Sequence, residues 1–123
     1  MSDDLRHRLG RAGEEAAAAH LARLGYAVIA RNHRTRFGEL DVVAFDGKTI
    51  VFCEVKTRRA GAGVSPWDAL GPGKQKRVRA MAAAWLAETA DRPRSSELRF
   101  DAIGVVFDAH GTLVALDHAE GAF

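Results

Sequence analysis

The chain has 123 residues, 47% of them hydrophobic and 28% charged, with a formal net charge of +2. That length suits one domain over residues 1–123 and leaves no room for a second. A single cysteine, Cys53, excludes an internal disulfide framework and a multi-cysteine zinc site. No apolar run approaches the ~18 residues of a membrane span. The stretch from Met1 to Arg11 is charged and lacks the apolar core of a signal peptide, so a soluble cytoplasmic protein is expected. All 18 Lys and Arg, but only 12 of the 16 acids, lie in residues 1–99. A basic body with an acidic tail is compatible with a polyanionic partner.

A first helix is expected from about Asp4 to Leu24, where Ala17, Leu21 and Leu24 recur at helical spacing and Gly25 follows as a stop. Gly10 and Gly13 weaken its first half, which places the firm start near Arg11. Tyr26–Arg31 reads as a strand, and residues 32–38 as a polar, basic connection. Strands over Glu39–Phe45 and Thr49–Thr57 flank Asp46-Gly47, a strong hairpin signal. Residues 58–73 read as a mobile loop broken by glycine and proline, with a helical turn at Pro66–Leu70. Lys74–Ala90 reads as a second helix, with Val78, Met81, Ala82, Trp85 and Leu86 on one face. Leu98–Phe107 and Thr112–Leu116 complete the order as strands. Two helices covering a mixed sheet of about five strands make an α/β domain.

The chemistry concentrates in the hairpin. With a two-residue loop, Asp41 pairs with Phe52 and Glu39 with Glu54; a four-residue loop keeps the parity and sets Asp41 opposite Glu54. Either way Glu39, Asp41, Val43 and Phe45 share a face with Ile50, Phe52, Glu54 and Lys56. Three carboxylates crowded beside an apolar patch need compensating positive charge. Lys56 supplies one charge, and hard oxygen ligands of this kind suit Mg²⁺ or Mn²⁺. The competing explanation is a charged strand end facing water. Cys53 points to the opposite face and is expected in the core, as is Trp85. Trp67 lies in the loop and is expected to pack on the second helix. His20 reads as a polar helix position, and His118 carries no assigned role.

Gly38-Glu39-Leu40-Asp41, followed by Phe52-Cys53-Glu54-Val55-Lys56-Thr57-Arg58, resembles the PD-(D/E)xK nuclease core. Most of the chain resembles the YraN family of small bacterial proteins, predicted relatives of restriction endonucleases and archaeal Holliday-junction resolvases. The resemblance is carried further by Gly13-Glu14, Gly25-Tyr26, Arg31-Asn32, Pro72, Lys74-Gln75, Arg99-Phe100-Asp101 and Ala122-Phe123. It implies a restriction-endonuclease-like fold and metal-assisted hydrolysis of phosphodiester bonds in DNA, with branched or recombining DNA as a candidate substrate. It implies that Asp41, Glu54, Glu14 and the backbone carbonyl of Val55 hold Mg²⁺ or Mn²⁺. Lys56 would orient or deprotonate the attacking water, Gln75 would sit near the phosphate or that water, and Glu39 would be auxiliary. Leu40 stands where the wider superfamily carries proline, and the Gly63-Val64-Ser65 loop lacks the aromatic often found there.

Phosphate contacts are expected from Arg58 and Arg59, which follow the catalytic strand, and from Lys74, Lys76 and Arg77 at the start of the second helix. Arg31, Arg34 and Arg36 rank below them. A homodimer is compatible with the resemblance, though no residue marks an interface. The alternative function is a non-catalytic nucleic-acid-binding protein that keeps the nuclease fold.

Overall fold

The structure is a computed structural model that describes residues 3–61 and 70–123. The elements run α1 (Asp3–Arg23), β1 (Ala27–Thr35), β2 (Gly38–Phe45), β3 (Thr49–Arg59), α2 (Pro72–Glu88), β4 (Glu97–Phe107) and β5 (Leu113–Ala119). The five strands form one sheet in chain order, β1-β2-β3-β4-β5. β3 and β4 pair in parallel across the α2 crossover, and the other neighbours are antiparallel. This is the expected α/β architecture. The expected turn at Pro66–Leu70, Trp67 and the Gly63–Ser65 loop fall on residues 62–69, outside the described residues apart from Leu70.

Several boundaries move, each for a local reason. α1 begins at Asp3 rather than near Arg11, because Gly10 and Gly13 are tolerated inside it. It ends in a Schellman arrangement: the Tyr26 N–H donates to Leu21 and the Gly25 N–H to Ala22, with Gly25 at φ 97°. β1 continues through 32–35, which the sequence suggested as a connection, because Arg31, His33, Arg34 and Thr35 pair with β2. Polar strand residues at a sheet edge look like loop in sequence. α2 starts two residues early, with Pro72 in its first turn. β5 runs on to Ala119 rather than ending at Leu116.

The hairpin loop has four residues: Phe45 pairs with Ile50. Asp46 sets it by accepting the N–H groups of Lys48 and Thr49 at 2.9 and 2.7 Å, and Gly47 takes φ 101°. Those bonds hold the exposed Asp46 carboxyl below the usual carboxylate range.

The sheet separates two cores. On one side Ala17 and Leu21 of α1 pack with Val42, Ala44, Val51, Cys53, Ile103 and Val105. On the other, Val78, Met81, Ala82 and Trp85 of α2 cover Leu40, Val43, Ile50 and Phe52. Their spacing is the i, i+3, i+4, i+7 stripe of a helix lying on a sheet. Phe52 anchors this side, with Trp85 edge-on at 5.8 Å and Phe100 stacked at 5.4 Å. Cys53 and Trp85 are buried as expected, and burial pushes the Cys53 thiol up.

A buried polar network ties α1 to β4 and β5. His118 Nε2 lies 2.7 Å from Asp101, and His118 Nδ1 lies 3.0 Å from His20. Arg99 forks onto both Asp101 oxygens at 2.8 Å and reaches the Tyr26 hydroxyl at 2.7 Å. Burial works against ionisation of Asp101, but Arg99, the Gly121 N–H and His118 outweigh it and hold its pKa below the ordinary value. His20 is thus one link in a chain rather than a lone helix position. His118, a tail residue with no assigned role in the sequence pattern, is its hub.

Gly13, Ala17 and Leu21 form one stripe, and α1 rests so closely on β3 that a Cβ at Gly13 would lie 1.8 Å from Thr57 Oγ1. Helix propensity alone favours alanine there by about 1 kcal/mol. The collision reverses that preference. Gly13→Ala is expected to lower stability by about 1–3 kcal/mol in denaturant unfolding. Adding Thr57→Ala should recover part of the loss; no recovery would show that the contact is not its cause.

Candidate functional site

The β2–β3 ladder runs from Phe45↔Ile50 to Val42↔Cys53 and stops. Both outer ladders continue: β1–β2 to Thr35↔Gly38, and β3–β4 to Arg59↔Phe107. The sheet therefore forks between β2 and β3. Side-chain alternation also breaks here. Leu40 and Val43 both join the α2-side core, while Val42 joins the α1 side. The shared face expected for Glu39 through Phe45 thus does not extend past Asp41, because the strand turns over at the fork.

Asp41 sits at the break. Its Oδ2 accepts the Val55 N–H at 2.8 Å, taking the place of a ladder carbonyl. Burial, Glu54 and Glu14 push its pKa up to about 8, against the lowering effect of the Val55 N–H. The neighbouring Glu54 carboxylate is the main charged group behind that rise.

Glu14 from α1, Glu39 and Asp41 each offer a carboxylate oxygen, and these oxygens lie within 4.8 Å of one another. Asn32 donates its side-chain amide to both Glu14 and Glu39, the latter at 3.0 Å. Arg34 lies 3.5 Å from Glu39. Glu54 is on the other flank, 6% exposed, with Lys56 Nζ at 3.4 Å and Lys74 Nζ at 3.0 Å. The fork thus has an acidic half around Glu14, Glu39 and Asp41 and a charge-balanced half around Glu54. The oxygens of the acidic half, with Glu54 and Val55 beside them, are a donor set that suits a hard divalent cation.

Two surface clefts meet at Glu14. One, of about 820 Å³, is rimmed by Arg6, Arg11, Arg31 and Arg34 and contains Asn32 and Glu39. The other, of about 470 Å³, is lined by Arg6, Val55, Lys56, Thr57, Arg58 and Arg59. Arg6, Gly10 and Glu14, one turn apart on α1, form the ridge between them.

Asp41, Glu54, Lys56, Glu14, Glu39 and Val55 therefore converge, and Arg58 and Arg59 line the adjoining cleft. Lys74 belongs to the site itself, through Glu54. Lys76 and Arg77 are exposed on α2. The Gln75 amide donates to the Leu70 carbonyl at 2.8 Å, a bond that secures the entry to α2. Asn32 and the Lys74–Glu54 pair went unseen in the sequence. Arg31-Asn32 was visible there only as a strand end, and Lys74 only as one cation in a basic helix start.

Fold and site together define a small α/β domain with a carboxylate cluster set in a forked sheet between basic clefts. A family model described as "Uncharacterised protein family UPF0102" matches residues 13–105. A UPF0102 protein of Streptomyces griseus is 47% identical over 116 residues, covering 94% of this chain and 96% of its own. Another, from Pelotomaculum thermopropionicum, is 41% identical and covers 98% of both chains. The chain belongs to the UPF0102 family, the YraN family that its motifs resemble. Among the described residues no helix is long and apolar enough to cross a membrane.

The state of Asp41 makes stability depend on pH. In the folded chain Asp41 keeps its proton up to about pH 8, whereas an unfolded aspartate releases it near 4. Between these values the unfolded state binds fewer protons, so this group's contribution to stability falls as pH rises. Asp41→Asn preserves an acceptor for the Val55 N–H and removes the titration. Without divalent cations, the variant is expected to exceed the native protein by at least about 1 kcal/mol at pH 8, roughly 4 °C or more in Tm, with little difference near pH 4. Parallel Tm–pH curves for the two proteins would show that Asp41 is not the group responsible.

Proposed function

We propose that this protein is a divalent-metal-dependent nuclease that hydrolyses phosphodiester bonds in DNA. The observation that carries this is the fork, where Glu14, Glu39, Asp41 and Glu54 meet, with Lys56 two residues beyond Glu54 and arginine-lined clefts on both sides. The arrangement agrees with the PD-(D/E)xK pattern in the sequence and with a restriction-endonuclease-like fold.

Asp41, Glu14 and Glu39 would hold Mg²⁺ or Mn²⁺, with Glu54 and the Val55 carbonyl completing the set. The metal would lower the pKa of a water and polarise the phosphate. Lys56, held against Glu54, presents a cation where the attacking water and the developing phosphate charge must be stabilised. Glu54, bridged by Lys56 and Lys74, orients both amines and keeps them from neutralising Asp41. Arg58 and Arg59 in one cleft, Arg31 and Arg34 in the other, and Lys76 and Arg77 on α2 would receive the DNA backbone. The two lysines on Glu54 favour one alternative, a nucleic-acid-binding protein in which the acids serve as a brace.

The deciding experiment incubates purified protein with labelled linear, single-stranded, flap and four-way DNA, and with RNA, in Mg²⁺, Mn²⁺ or EDTA. Cleavage of DNA that requires the metal is expected, with a loss of at least about 100-fold in Asp41→Ala and in Lys56→Ala. DNA binding without cleavage would move the assignment to the binding protein, and cleavage retained in both variants would expose a contaminant. Replacing Arg58 and Arg59 together should reduce the salt-dependence slope of DNA binding by about one per lost phosphate contact. An unchanged slope would put the phosphates elsewhere.

A further inference from the structure

Asn32 has a backbone φ of 50°, the only positive value outside glycine among the described residues. It lies inside β1, not in a turn. Left-handed backbone at a non-glycine residue costs on the order of 1–3 kcal/mol, and asparagine bears it better than most. The register is kept across it: Arg31 pairs with Val42 and His33 with Leu40, which sets Asn32 opposite Asp41.

The consequence lies in where the side chains go. Arg31 bonds Glu15 at 3.1 Å and Asn32 bonds Glu14, both on α1. His33 turns to Glu88 on α2 at 3.1 Å. A regular strand alternates, so two successive residues cannot both reach the same helix. The left-handed residue supplies the break without losing register. It brings one amide nitrogen, with its two N–H groups, between Glu14 and Glu39.

We propose that Asn32 is a positioning residue for the carboxylate site, its left-handed backbone and bridging amide holding Glu14 of α1 and Glu39 of β2 in register with Asp41. An amide suits this task. It donates to two acids that repel each other, and it adds no charge that would compete with a bound cation. Asn32 acts through the carboxylates, and its importance for metal binding rests on the metal-site assignment made above.

Two measurements test it. In ¹H–¹⁵N spectra of the metal-free protein, Glu14→Gln and Glu39→Gln are each expected to shift the Asn32 side-chain amide protons. Unmoved amide protons in both variants would overturn the proposal. Mn²⁺ titration calorimetry supplies the second measurement. Asn32→Gly keeps the left-handed backbone and removes the amide; it should weaken Mn²⁺ binding by about 10-fold or more while melting within a few degrees of the native protein. Asn32→Gly combined with Glu14→Gln should lose less than the product of the two single losses, because part of the effect of Asn32 passes through Glu14. Multiplied losses would mean that Asn32 acts independently of Glu14 and would overturn the proposal. If the native protein binds no Mn²⁺, the metal-site assignment falls on that result, and the amide shifts alone decide the role of Asn32.

Discussion

The bond between the Val55 N–H and the Asp41 carboxylate is the constraint on which the site depends. β2 and β3 pair only as far as Val42↔Cys53, so the backbone beyond that rung must find other partners inside a sheet. A buried N–H left unsatisfied costs about 1–3 kcal/mol. Asp41 removes that cost for Val55 and is itself fixed by doing so. The fork is therefore framed by regular structure. β1 braces one limb and β4 the other, and both outer ladders run on past the opening.

α1 completes the site from one side and α2 from the other. The absence of a side chain at Gly13 lets α1 settle against Thr57, and the next residue, Glu14, then reaches the carboxylates of β2. α2 delivers Lys74 to Glu54 from the opposite face. The two helices thus bring opposite charges. Lys56 and Lys74 are both paired with Glu54, so the acidic half is not neutralised by the balanced half.

Much of the fold was legible because its signals are local. The helical stripes at Ala17–Leu21 and Val78–Trp85, the Asp46-Gly47 turn and the alternating apolar strands each fit within a short window. The candidate catalytic set was legible too, since Glu39, Asp41, Glu54 and Lys56 lie on adjacent strands of one hairpin. What escaped depends on contacts distant in sequence or on backbone geometry. The polar second half of β1 looks like loop until β2 pairs with it. Lys74 looks like any exposed cation until α2 lands beside Glu54. No period or spacing announces that Asn32 takes a left-handed conformation, or that His20 and His118, 98 residues apart, meet over Asp101. The break in alternation at Asp41 was hidden for the same reason: a hairpin pattern assumes that the ladder continues.

Asp41 and Asp101 show two solutions to one problem. Asp101 is fully and Asp41 partly withdrawn from water, where ionisation is costly without partners. Asp101 is surrounded by the Arg99 fork, His118 and the Gly121 N–H, and it stays ionised. Asp41 has the Val55 N–H on one side and feels Glu54 and Glu14 on the others, so it is driven toward the protonated form. A fold that can satisfy Asp101 so fully has no packing reason to leave Asp41 among acids. A carboxylate perturbed by desolvation and by neighbouring acids is a candidate for a functional site. The contrast within one sheet therefore separates the two roles: Asp101 fastens α1, β4 and β5 together, and Asp41 is the group whose surroundings favour an added positive charge.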